Sequence, residues 1–508
     1  MKGLIVNRRI TLALVACLAV SSLGFSGARA AEGCAAAEHA GGEWRTFGRD
    51  LLNTRDQAAE TKISPATVGS LQPAWTLSIS GLGAAGTLET APTIADGCLF
   101  VSTQTGWVVA ANADTGALVW RTNLGAAVTT LAVANGKVFA TISRSNAPAV
   151  AALDQNTGEI LWTTVITEMR GSDADGSPVA FGDLVATGIS CQGAEGASGA
   201  NRFTCRGGLA IMRQSDGVLL GTAWAIPDED FGLGNGGAAL WSTPAVDMET
   251  GYAYIGSGNP FGREHGRANA LLKIDVDPSR ETFATVVDSY KATPEQYLPF
   301  LGADKPACEQ SGYNFGVCEL PDLDMGVPPT IYRNAKGIKM VSAGQGSGVW
   351  HTVRADTMEY EWSTLTGGPY IGHRAGGGAY DGKNIYTAGG IPGHIWALDK
   401  NSGKQVWVSP AGLGNNSFNP MAHANGVIFA LGGTNRPPFL FGVASPPYIV
   451  ALSAATGEVL FTRPLVTETG GVGQGTVAGG VVVARNTVYA PVNAIPGGGH
   501  IVAYRLPA

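Results

Sequence analysis

Short apolar runs alternate with polar turns along the whole chain, and one phrase recurs in them. It is an apolar strand ending near Asp, a Thr-Gly or similar turn, and a second apolar strand commonly closed by Trp. The phrase reads VVAANADTGALVW from Val108 to Trp120, VAALDQNTGEILW from Val150 to Trp162, HIWALDKNSGKQVW from His394 to Trp407 and YIVALSAATGEVLF from Tyr448 to Phe461. Weaker copies at Gly208–Gly221, Ala268–Val287 and Val349–Trp362 bring the count to seven. Between copies lies a second unit, a small residue and Pro followed by two apolar strands about an Asp-Gly or Asn-Gly turn, as in TAPTIADGCLFV from Thr90 to Val101. Such dipeptides supply the positive φ of a tight hairpin, and alternating apolar positions give each strand buried faces once sheets stack.

Together the two units predict a four-stranded antiparallel meander. Repetition at roughly 40 to 60 residues in strand-only segments predicts an all-β propeller. The chain closes on HIVAYRL, His500–Leu506, an inner strand without its Trp partner, while LQPAWTLSI, Leu71–Ile79, is a Trp strand with no blade before it. These two orphans predict eight blades, the last completed by the N-terminal strand, which removes the open sheet edges. A row of separate sandwiches would leave both orphans unexplained.

The first thirty residues read as a secretory signal, with Lys2, Arg8 and Arg9 before an apolar run from Ile10 to Val20 and Ala28, Arg29 and Ala30 before Ala31. Residues 31–508 then form one propeller domain, periplasmic or secreted. A lipid anchor at Cys17 is the lesser alternative, because the apolar run continues past it. No other stretch is apolar enough to span a membrane. Export leaves Cys34, Cys98, Cys191, Cys205, Cys308 and Cys318 in an oxidising compartment, where disulfides are expected. Cys191 with Cys205 and Cys308 with Cys318 are near in sequence and read as local staples, although sequence does not fix the pairing. With 72 Gly and 14% charged residues the chain suits many turns, and 33 Lys+Arg against 40 Asp+Glu offers no basic face for nucleic acid. There is no Cys-x-x-Cys-His for a covalent haem, so released electrons would go to a separate acceptor such as a cytochrome c.

WRTFGRDLLNTR, Trp44–Arg55, with VGSLQPAW, Val68–Trp75, resembles the opening of the pyrroloquinoline quinone (PQQ) dehydrogenase-like propellers, in particular the polyvinyl alcohol dehydrogenase type. The resemblance extends over essentially the whole mature chain. It implies PQQ on the ring axis with Ca²⁺ or a lanthanide held by Glu, Asn and Asp oxygens, the ligand set a hard cation takes. The segment ISCQGAE is similar to the family's Gly-Ala-Glu, which makes Gly193 and Ala194 cofactor contacts and Glu195 a metal ligand. LWSTP with YIGSGNP matches the segments that supply the aromatic floor, Trp241, and the Asn ligand, Asn259. CELPDLDMGVPPT resembles the segment with the catalytic base, here Asp322, also a ligand, and a further carboxylate, Asp324. Glu89 corresponds to the family Glu that contacts the cofactor's acids or their Arg partner, and Arg144 to that Arg, a natural anchor for the three carboxylates of PQQ.

Two positions depart from the family pattern. Gly346 stands where a Lys or Arg assists the reactive oxygens, a role Arg374 or His373 would have to fill. Asp175 stands where a Thr usually donates to the quinone, and an acid there opposes an anionic cofactor unless a cation intervenes. The paired vicinal cysteines of methanol-oxidising members are missing near Val128–Thr130. The expected activity is therefore oxidation of a secondary or polymeric alcohol. The alternative is a non-catalytic propeller, a protein-binding scaffold or degenerate enzyme, since the Trp repeat is shared with outer-membrane assembly scaffolds.

Overall fold

Asn135–Gly136 and Asp96–Gly97 show why the hairpins form where they do: both residues of each pair sit at positive φ, 50° and 71° in the first and 47° and 80° in the second. A computed structural model describes residues 32–507 apart from 89, 196, 233, 264, 294–322, 367–376, 390–392, 414–418, 435–444, 471–473, 478 and 496–497. The predicted leader with Cys17, and also Cys308, Cys318, Glu89, Asp322, His373 and Arg374, fall outside the described residues.

Eight four-stranded antiparallel blades follow in order. Blade 1 opens with Thr93–Ala95 and closes with Leu118–Asn123. Blades 2 to 7 open with Ala132–Ala134, Val179–Phe181, Ala245–Asp247, Thr330–Arg333, Ala379–Tyr380 and Ala422–Ala424. Blade 8 comprises Val482–Ala484, Thr487–Ile495 and Gly498–Arg505, and its outer strand is Gln72–Ser78 from the other end of the chain, with Trp75 opposite Ala503. The predicted closure by the N-terminus is thus observed. Among the described residues no helix is long and apolar enough to cross a membrane.

The recurring phrase is the glue between blades. Each outer strand carries a β-bulge at the same place, which aims one residue at the next blade. Trp120 lies on Gly158 of the next turn and donates its Nε1–H to the Gln155 carbonyl at 3.0 Å; Trp162 lies on Gly217, Trp362 on Gly403, Trp407 on Gly457, and Trp75 closes the ring on Gly116. Two residues after Trp120, Trp162 and Trp362, a Thr hydroxyl donates to the same glycine's carbonyl at 2.6, 2.7 and 2.6 Å. At two seams the bulge residue is not Trp and the facing turn is not Gly, while at the seam of blades 7 and 8 Phe461 meets Tyr504. Gly221 of blade 3 meets Ala284, and Asp288 occupies the Trp place of blade 4 while Met358 occupies the turn of blade 5, with Ala284 and Met358 at φ 57° and 53°.

The N-terminal segment Trp44–Gln57 circles the axis once and pairs with the middle residue of the innermost strand in seven of the eight blades. Trp44 exchanges both backbone bonds with Ile94, Arg45 accepts from Val133, Leu51 from Val246, Leu52 from Ile331, Thr54 from Tyr380 and Arg55 from His423. The Gln57 side chain then donates to the Val483 carbonyl at 3.1 Å. Arg55, fully buried, holds the segment from inside, donating to the carbonyls of Phe47, Met421 and Val481 while its guanidinium faces the Trp44 and Phe47 rings at 4.9 and 5.1 Å. Burial pulls its pKa down to about 9, which still leaves it charged at neutral pH. The Cys34–Cys98 disulfide ties the stretch that precedes this segment to blade 1 across 64 positions, and Cys191–Cys205 is formed as the local staple expected.

Two stability predictions test the closure. Gly136 and Gly158 share φ near 71° and 72°, but a Cβ at Gly136 meets nothing, whereas one at Gly158 would stand 2.4 Å from the Trp120 ring. Gly136→Ala should cost about 1 kcal/mol for the left-handed backbone alone. Gly158→Ala should cost a further 1–3 kcal/mol for overpacking, read from urea midpoints. At the seam between blades 8 and 1, Asp114 accepts from Arg485 at 3.2 and 3.0 Å and from Arg505 at 3.2 Å. Burial raises the Asp114 pKa, but the bonds and charges of the two arginines outweigh it and hold the value below the usual carboxylate range. A lowered carboxylate pKa contributes stability above the unfolded value and loses it as pH falls through the folded one. Asp114→Asn should therefore lower the melting temperature at pH 7 and lower it progressively less below pH 4.

Candidate functional site

The stretches that lead into the innermost strands converge on the ring axis, and small residues and prolines predominate in them. These positions line an axial cavity of about 570 Å³: Thr90 and Ala91 from blade 1, Thr129 and Thr130 from blade 2, Asp175–Ser177 from blade 3, Trp241–Thr243 from blade 4, Pro328, Pro420 and Gly479 from blades 5, 7 and 8. Phe47 of the circling segment lies among them and closes the cavity on that side. Hydroxyls stitch the blades together just beneath the lining. Thr130 Oγ1 accepts from the Ala91 amide at 3.2 Å, and Thr243 Oγ1 from the Ser177 amide at 3.3 Å. Gly176 is required where it stands, since a Cβ would lie 2.4 Å from the Ser242 carbonyl oxygen.

Trp241 gives the cavity one flat aromatic wall. Its ring is wedged against Gly326, where a Cβ would lie 2.3 Å away. Behind it, a Cβ on Gly258 would stand 3.3 Å from both the indole Nε1 and an Asp324 carboxylate oxygen. Asn259 follows directly and accepts from the Ala238 amide through its backbone carbonyl at 2.8 Å. Trp241, which lines the cavity, and Asp324 therefore stand close together at the corner that Trp241 forms, with the backbone of Asn259 next in the chain to Gly258. Asp324 is half-buried, and its carbonyl takes the Gly346 amide at 2.8 Å, so the position expected to carry a cation contributes a backbone bond.

The other predicted residues lie elsewhere. Gly193, Ala194 and Glu195 fall in a four-residue helix, Gln192–Glu195, anchored by the Cys191–Cys205 disulfide. Ala194 packs on Gly171, Gly193 borders a separate pocket of about 210 Å³ with Arg170, and Glu195 is exposed. Arg144 is exposed as well. Their neighbours Gln192 and Ser143 line the axial cavity in their stead. Asp175 does reach the cavity, and Ser190 Oγ lies 2.6 Å from its carboxylate and also contacts Asp173. Glu89 and Asp322 are outside the described residues, and among the described residues no three His, Cys, Asp or Glu side chains gather as a metal site.

The contents of this corner fit a flat, polar cofactor with a hard cation. One wall is aromatic, much of the remaining lining is small, the nearby polar atoms are mostly oxygens, and Ser242 lines the cavity with its hydroxyl buried and without a protein partner among the described residues. Missed by the sequence reading were the ring of lining hydroxyls and Phe47. The signal of the hydroxyls was present in the small-residue-Pro unit at the axial end of blades such as the first, third and fourth, whereas Phe47 belongs to the circling segment, outside the repeat.

A family model, PQQ_2, described as outer membrane protein assembly factor BamB, matches residues 64–275 and 334–437. A polyvinylalcohol dehydrogenase of Pseudomonas sp. is 26% identical over 493 residues, covering 87% of this chain and 73% of that one. A second, from Sphingopyxis sp. (strain 113P3), is 25% identical over 407 residues, 72% of this chain and 59% of its own length. Among solved structures, quinohemoprotein alcohol dehydrogenase ADHIIG from Pseudomonas putida HK5 superposes with a TM-score of 0.70 at 15% identity, covering 92% of this chain and 80% of that one, which is a likeness of fold.

Proposed function

The chain belongs to the PQQ_2 family of propellers, and from that premise we propose that it is a quinoprotein that oxidises an alcohol in the axial cavity. The observation that carries the proposal is the corner where Trp241, held between Gly258 and Gly326, meets the Asp324 carboxylate and the segment of Asn259. The relatives named as polyvinylalcohol dehydrogenases support a secondary or polymeric alcohol as substrate. The leader-like first thirty residues support a periplasmic or secreted location.

In this reading bound PQQ with Ca²⁺ or a lanthanide would supply the two-electron acceptor for the alcohol carbon, with a separate protein such as a cytochrome c as the final acceptor. Trp241 would offer a stacking surface to a flat ring system, and the small lining residues would leave room for it. Asn259, Asp322 and Asp324 would supply oxygen ligands. Glu195, exposed at its helix end, enters the ligand set through the family resemblance alone, as do Gly193, Ala194, Glu89 and Arg144 as cofactor contacts. Asp322 would take the hydroxyl proton. Thr90, Thr129, Ser177 and Ser242 would meet an uncharged hydroxylated substrate with hydroxyls of their own.

Asp175 favours a second reading, a propeller that keeps the fold and serves as a protein-binding scaffold, because an acid in the cavity opposes an anionic cofactor. Purified apoprotein given PQQ and Ca²⁺ or La³⁺ separates the two. The enzyme should reduce a dye with secondary alcohols or polyvinyl alcohol only when both additions are present, and Asp322→Ala should lower the rate by about 10²-fold or more. No quinone binding and no thermal shift with any metal would leave the scaffold.

A further inference from the structure

Residues 345 and 346 grip two successive carbonyls of the segment that bears Asp324. Gln345 Nε2 donates to the Leu323 carbonyl at 3.1 Å, and the Gly346 amide donates to the Asp324 carbonyl at 2.8 Å. The next amide, Met325, donates to the Ser257 carbonyl at 3.1 Å, so the backbone around Asp324 is fixed from both sides. Gln345 is itself held in a buried polar chain. Its Oε1 accepts from Ser347 Oγ at 2.7 Å and faces His351 Nε2 at 3.3 Å, while His351 Nδ1 lies 3.1 Å from the Tyr290 hydroxyl. Gln345, Ser347 and His351 are all buried.

This chain of contacts fixes the amide's orientation. Turned over, the side chain would set an oxygen against the Leu323 carbonyl and its NH₂ toward His351 Nε2 and Ser347, losing its bond to the loop. In the orientation kept, His351 carries its proton on Nε2 and accepts from Tyr290 at Nδ1. A fully satisfied buried network of this kind rigidifies what it touches. Here it touches the loop that sets the Asp324 carboxylate near the Trp241 indole.

We propose that Gln345 is a positioning residue of the axial site, setting through the Leu323 carbonyl the direction in which Asp324 presents its carboxylate to a cation beside Trp241. The proposal rests on the cofactor reading above, and deepens it by giving a role to the segment that departs from the family pattern at Gly346. The side chain makes no contact with the ion's place. Its effect passes through the backbone of Leu323 and Asp324, as outer-shell partners of metal ligands act.

Tb³⁺ is a suitable probe, because an ion beside Trp241 emits when the indole is excited, and the readout is affinity rather than turnover. Titrations would compare the unaltered protein, Gln345→Met, Asp324→Asn and the double variant, each checked by near-ultraviolet circular dichroism. Gln345→Met should weaken Tb³⁺ binding roughly 10- to 100-fold in the unaltered background. With Asp324→Asn already present it should change the affinity by less than about twofold, because the group it acts through is gone. An equal factor in both backgrounds would show a merely structural residue and overturn the proposal, as would no change in either. Should Gln345→Met fail to fold, Ser347→Ala loosens the same amide without touching the loop, and must show the same dependence on Asp324. If the unaltered protein binds neither Tb³⁺ nor PQQ, the cofactor reading fails and the positioning role with it; if it binds both and Gln345→Met binds as well, only the positioning role fails.

Discussion

The circling of the axis by Trp44–Gln57 is the constraint on which the remainder of the molecule depends. A propeller blade packs only on its two neighbours, so nothing in the repeat itself sets how many blades a ring should hold. Here a single segment spends one backbone bond on the centre of nearly every innermost strand, and its length fits one turn of an eight-bladed ring. Arg55 makes the arrangement directional. A buried guanidinium with carbonyl acceptors from the segment itself and from blades 7 and 8 has its donors satisfied only when those blades stand at the right distance from Phe47.

The outer seams follow a different logic. Trp supplies a large apolar surface and one donor, and a glycine in the left-handed region supplies the only backbone that lets the ring approach so closely. The two halves of this contact come from different blades, yet at two seams they vary together, where Gly221 and Asp288 replace Trp and the facing turns carry Ala284 and Met358 in place of Gly. Packing at each seam is therefore solved locally, which allows the blades to differ in sequence while the ring stays regular. The axial end of the blades is then relieved of structural duty, and small residues there open the cavity.

Much of this was legible in the sequence. The Asp, Thr-Gly, Trp phrase encodes hairpin turns and seam contacts between nearby residues, and the orphan strands at Leu71 and His500 encode closure, since a Trp strand without a blade needs one. Trp241, Asn259 and Asp324 come from segments at strand ends or Pro-flanked turns, and of these the structure sets Trp241 on the cavity with Asp324 close by. Glu195 and Arg144 were harder. They lie in or beside insertions that leave the repeat, where a disulfide at Cys191 and a four-residue helix decide which side chain faces the axis, and the choice falls on Gln192 and Ser143. The Cys34–Cys98 bridge was beyond sequence reasoning for a similar reason, since it joins a tail to blade 1 through a fold that only the completed segment creates.

The segment around the axis also imposes an order of events on a newly made chain. Gln57 finds its partner at Val483, 426 positions later, and the strand Gln72–Ser78 waits for the last residues of all. At a ribosomal pace of about 5–20 residues per second, that interval is on the order of 20–90 s. Through all of it the first-made residues hold an unpaired strand and a buried arginine with nowhere yet to be buried. The ring is thus a structure whose beginning is useless until its end arrives, and its assembly cannot proceed blade by blade to a finished product.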